Sequence, residues 1–94
     1  MEETSDVSRF YVYILLSLKD KGFYIGFTSK LRDRLSAHAN GLVNSTKYRR
    51  PVKLIYYEYF INRKDAKTRE VFLKSGFGRS QFKKALKETL QIYV

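Results

Sequence analysis

The sequence predicts a small α+β domain, a three-stranded and mainly antiparallel sheet flanked by helices in the order β-β-α-β-α-α. Two runs, FYVYILLS and VKLIYYEYFI, are dense in β-branched and aromatic residues, as strands are. Three other stretches space their apolar residues at helical intervals. At 94 residues the chain can build one core and has no room for a second independent module.

Taken in order, residues 1 to 8 carry Glu2, Glu3 and Asp6 with no basic residue, and are expected to form a flexible acidic terminus ahead of a single domain over 9–94. Residues 10 to 17 are apolar on both faces, which predicts a strand in the middle of the sheet. Leu18 to Gly22 supplies Asp and Gly for a turn, and Phe23 to Gly26 returns as the antiparallel partner, bringing Tyr13 and Tyr24 close together. Thr28 and Ser29 then offer hydroxyls to a first helix, with Ser29 the expected N-cap.

In that helix Leu31, Arg34, Leu35 and His38 fall at i, i+3, i+4 and i+7 and share one face. An arginine and a histidine between two leucines suggest the rim of a polar pocket beside the core, onto which Tyr24 would open. The plainer alternatives are an arginine that snorkels to water and a histidine satisfied by hydrogen bonds.

Residues 39 to 51, ANGLVNSTKYRRP, read as a loop whose length points to function. Residues 52 to 61 are the third strand, expected beside the first. Asn62 caps a second helix over 63–75, in which Ala66, Glu70, Leu73 and Lys74 lie on one side. Glu70 and Lys74 could simply form a surface i,i+4 pair. Gly76-Phe77-Gly78 is expected to break the chain before a last helix over 79–91, with Phe82, Leu86 and Leu90 inward and Lys83, Lys84 and Lys87 outward.

Charge narrows the partners. The net charge is +10 with 16% aromatic residues, including eight tyrosines. Residues 28 to 53 carry seven basic residues against one acid, and 63 to 94 carry nine against three, so each stretch sums to +6. Cationic surface with abundant tyrosine suits nucleic acid, since lysine and arginine neutralise phosphates and aromatic faces stack on bases. Lys47, Arg49 and Arg50, with Lys74 and Arg79, are the candidate contacts to nucleic acid. No helix pairs a lysine-rich face with a broad apolar one, so no membrane partner is expected. With no cysteine there is no disulfide framework or thiolate metal site, and the cytoplasm is the expected location. The sequence lacks GxGxxG, GxxxxGK[ST], a zinc constellation and a Ser-His-Asp set.

Tyr11-Val12-Tyr13 and Tyr24-Ile25-Gly26 stand with ten residues between Tyr13 and Tyr24, and Arg34 follows ten positions after Tyr24. With His38, STKYRRPVKLIYYE and REVFLKSGFGR, this ordered set resembles the GIY-YIG nuclease superfamily, in particular its small stand-alone bacterial branch, over residues 11 to about 84. The resemblance implies cleavage of DNA phosphodiester bonds with one divalent metal, Mg²⁺ or Mn²⁺, held by Glu70. It further implies Arg34 as the clamp on the phosphate and a tyrosine as activator of the attacking water. An unperturbed phenol has a pKa of about 10, so nearby cations must favour its phenolate. Tyr13 and Tyr24 both qualify, and His38 would bond the attacking side or relay a proton. A lone domain has little surface for reading sequence, so branched or damaged DNA, as met in repair or recombination, is the expected preference. The alternative is a nucleic-acid-binding module on the same fold that cuts weakly or not at all.

Overall fold

The computed structural model describes residues 8–93, so the acidic terminus lies, except for Ser8, outside the described residues. Its sheet is formed by β1 (Phe10–Ser17), β2 (Phe23–Thr28) and β3 (Val52–Phe60) in the order β2-β1-β3. Both neighbours pair antiparallel to β1, and Tyr13 lies between Gly26 on one side and Tyr57 on the other. The central place of β1 follows from its sequence, because only a strand covered on both faces is apolar throughout. Between β1 and β3 the register shifts at Ile14 and Leu15. The hairpin closes with Lys21 in the left-handed region at φ 62° and the Gly22 N–H donating to Asp20 Oδ1 at 2.7 Å.

Alternation along β1 divides the domain into two layers. Val12 and Ile14, with Ile25 of β2, pack against Ala66, Leu73 and Phe82 to make the main core. These last three come from α2 (Arg63–Lys74) and α3 (Gly76–Ala85). Tyr11, Tyr13, Leu15 and Ser17 fall on the opposite face. α1 (Leu31–Ala39) and the following loop, which holds a 3-10 turn at Lys47–Arg49, supply its covering partners His38 and Arg49.

The helix ends show how local chemistry sets boundaries. Asn62 caps α2 as expected, its side chain accepting from the Lys64 and Asp65 N–H groups. Ser29 does not cap α1. The Thr28 hydroxyl accepts the Lys30 N–H at 3.0 Å, which uses the turn one residue early and leaves Lys30 at the cap without a side-chain bond. The break after α2 falls at Ser75, not within Gly76-Phe77-Gly78. Ser75 is extended and its Oγ accepts the Gly78 N–H at 3.0 Å, so α3 starts at Gly76. Gly78 is needed because a Cβ there would collide with the Phe72 carbonyl. The expected last helix is also divided, since Leu86 departs from helical geometry ahead of α4 (Lys87–Gln91) while staying packed on the core. A polar network fixes α2 to β3: Arg69 Nε donates to Glu58 Oε2 at 2.7 Å and the Tyr56 hydroxyl to Glu58 Oε1 at 2.6 Å.

Candidate active site

On the α1 side of the sheet, Tyr13, Tyr24 and His38 converge. The Tyr13 hydroxyl and His38 Nε2 are 2.8 Å apart, and His38 Nδ1 is 2.7 Å from Thr46 Oγ1. Rings of Tyr13 and Tyr24 lie 5.7 and 5.1 Å from the imidazole, both edge-on. Gly26 makes the cluster possible. It pairs with Tyr13 across the β1–β2 ladder, and any Cβ at this position would run into the Tyr13 phenol.

Burial separates the two tyrosines. Tyr13 is 0% exposed, whereas Tyr24 is only half-buried. Burial pushes the Tyr13 hydroxyl up to about 12 despite the opposing pull of Arg34. Burial, with the positive charge of Arg34, also lowers His38 to about 4, so the ring is neutral at neutral pH. A neutral imidazole bonded at both nitrogens uses one as donor and the other as acceptor.

Arg34 is exposed, as an arginine at a rim or snorkelling to water would be. Its interactions with the Tyr13 hydroxyl, and then with that of Tyr24, hold its own proton more firmly. The site therefore has a cation at its mouth and uncharged groups inside.

Glu70 comes from α2 and is 8% exposed, the one buried carboxylate among the described residues. Lys67 Nζ and Lys74 Nζ each stand 3.0 Å from a different carboxylate oxygen. Burial would raise this carboxyl, but the two lysines outweigh it and keep it below the ordinary glutamate range. Its charge is felt at Tyr13. Among the described residues no group of three or more His, Asp, Glu or Cys side chains forms a metal cage. One ionised carboxylate fits a hard cation that keeps most of its ligands as water and substrate phosphate, as Mg²⁺ does.

The other cationic candidates are scattered. Arg49 Nε pairs with Asp20 Oδ2 at 2.7 Å, and Arg50 donates to the carbonyls of Lys47 and Ala39 at 3.1 and 3.2 Å. Both arginines thus hold the loop in shape. Lys47 lies over the Tyr48 ring, Lys74 sits on Glu70, and Arg79 is half-buried on α3. The sequence does not mark Thr46 as a site residue. Its one signal is a place beside Lys47 in a loop long enough to fold back over α1.

Residues 9–85 match the family model described as the GIY-YIG catalytic domain. A UPF0213 protein of Clostridium perfringens is 46% identical over 65 residues, which cover 68% of this chain and 69% of that protein. A UPF0213 protein of Streptococcus pyogenes is 40% identical over 72 residues, 76% of this chain and 77% of its own length. A third, from Staphylococcus haemolyticus, is 37% identical over 83 residues, 87% of this chain and 99% of its own length. No solved structure matches the chain at a comparable level of significance. Among the described residues no helix is long and apolar enough to cross a membrane.

Proposed function

The chain belongs to the GIY-YIG family, and on that premise we propose that it is an endonuclease that hydrolyses phosphodiester bonds in DNA with one bound Mg²⁺ or Mn²⁺. The observation that carries this reading is the convergence of Tyr13, Tyr24 and His38 on one side of the sheet, with Arg34 interacting with both tyrosine hydroxyls.

Tyr24 is the group proposed to take the proton from the attacking water, because it reaches solvent and Tyr13 does not. Arg34 interacts with its hydroxyl as well as with that of Tyr13. The same guanidinium, exposed at the mouth, binds the non-bridging oxygens as charge builds on phosphorus. Tyr13 stays a neutral phenol. With His38 protonated at Nδ1 and bonded to Thr46, the Tyr13 hydroxyl donates to Nε2, and this chain positions the Tyr24 side of the site. Glu70 would hold the metal, with Lys67 and Lys74 giving up the carboxylate oxygens to it. A divalent cation there supplies charge neutralisation at the phosphate and the departing 3′ oxygen.

A binding module without cleavage is the competing reading, and the Lys67 and Lys74 ammonium groups already seated on Glu70 are what favour it. Incubation with supercoiled plasmid and branched DNA, with Mn²⁺, Mg²⁺ or chelator, separates the two. Metal-dependent nicking that is absent in Tyr24→Phe supports the enzyme. Binding with no nicking in any metal sinks it.

A further inference from the structure

Next to the catalytic cluster the same sheet face continues as a row of tyrosines that the reaction does not use. Tyr11 of β1 lies 6.0 Å from the ring of Tyr57 and 5.8 Å from that of Tyr59, both tilted by 56°. Tyr57 and Tyr59 are 50% and 49% exposed, and Tyr57 stands directly opposite Tyr13 in the strand register. The Arg9 guanidinium lies 5.1 Å from the centre of the Tyr59 ring. A cleft of about 500 Å³ runs between this row and the start of α1, with Tyr11 and Tyr57 on one side and Lys30, Arg32 and Leu35 on the other.

We propose that Tyr11, Tyr57 and Tyr59 form a stacking platform for unpaired bases, and that the preferred substrate carries a single-stranded segment lying in this cleft. The inference rests on the nucleic-acid reading above and narrows its substrate class. Every base has a π-face, so tyrosine stacking tolerates any sequence while discriminating against a duplex, whose bases are already stacked. Lys30 and Arg32 can follow the phosphates along the opposite wall, with Asp33 the single acid lining it. A second copy of this chain is disfavoured as the occupant, because each copy carries a net +10.

The test is fluorescence anisotropy with a labelled oligothymidylate and a blunt duplex of equal length, in chelator so that cleavage plays no part. Loss of one base–aromatic stack is worth roughly 5- to 150-fold in affinity. Tyr57→Ala is therefore expected to weaken single-strand binding at least about fivefold while duplex binding stays within about twofold. Tyr57→Phe retains affinity, and Tyr57→Leu, which keeps apolar bulk without a π-face, behaves like the alanine variant. Equal loss on both ligands, or no loss, overturns the platform. So does a wild-type protein that sediments as a dimer and becomes monomeric on Tyr57→Ala. Failure here with plasmid nicking intact would leave the nuclease reading standing. Single-strand selectivity without nicking would support the platform and remove the enzyme.

Discussion

The Tyr13 hydroxyl meets His38 Nε2 at 2.8 Å across 25 residues of sequence, in a part of the domain that water does not reach. Removing the hydroxyl with Tyr13→Phe leaves a buried imidazole nitrogen without a partner, which costs about 1–3 kcal/mol. For a domain of this size each kcal/mol lowers the melting temperature by roughly 4–8 °C. Urea unfolding of the two proteins measures the difference, and a change below about 0.5 kcal/mol would mean that the bond contributes little.

His38 is the only histidine, so its titration can be followed without assignment. Its folded pKa of about 4 lies below the unfolded value of 6.5. The unfolded chain thus binds the extra proton first as pH falls. The contribution of neutral His38 is present in full above pH 6.5 and is lost as pH drops towards 4. Over that window the loss is roughly 2–3 kcal/mol. Proton NMR of the imidazole should give a midpoint near 4, and His38→Gln should flatten the dependence of unfolding free energy on pH. A midpoint near the unfolded value would contradict the burial described above.

Arg34→Ala should separate binding from rate. The side chain is exposed and is one of 19 basic residues, so fold and overall affinity for DNA change little. A contact made to charge that develops in the transition state is worth about 10² to 10³ in rate. If affinity falls as far as the cleavage rate in parallel filter-binding and nicking assays, Arg34 positions substrate and does not act on the transition state.

Glu70→Gln tests the metal assignment, and the structure sets the sign of its effect on stability. The sequence leaves the Glu70 carboxylate either a metal ligand or the partner of Lys74 in an i,i+4 pair. Two ammonium groups at 3.0 Å make it a compensated one. The lysines are about half exposed, so the substitution should cost a few tenths to about 1 kcal/mol. This contribution belongs to the ionised form and disappears as pH falls below the carboxylate range. Cleavage and Mn²⁺ binding should both collapse. A variant with the original metal midpoint would show that the ligand is elsewhere.

Much of this arrangement was legible because it is written in local periodicity. A strand apolar on both faces had to be central, and helical spacing put His38 and Arg34 on neighbouring parts of α1. The connections that depend on chain return were not legible. Thr46 reaches His38 only because the loop folds back, and nothing in its own neighbourhood specifies that bond. The exposed position of Arg34 was one of two that the sequence left open, because periodicity fixes where a Cβ points, while a long side chain chooses its own end point. At Gly76 and Gly78 composition suggested a break, whereas the close approach of α3 to α2 makes glycine at position 78 a packing requirement inside a helix.

Since β1 faces the main core with Val12 and Ile14 and the tyrosine–histidine cluster with Tyr13, any excursion that frees this strand dismantles both at once. Slipping β1 by a single residue would send the tyrosine into the core and its apolar neighbours out. Partly opened forms that keep a working site are therefore confined to those in which β1 stays paired, such as fraying of α4. Amide exchange at Val12 to Leu16 should accordingly keep pace with global unfolding, and proteolytic trimming from the carboxyl end should remove residues before it removes activity.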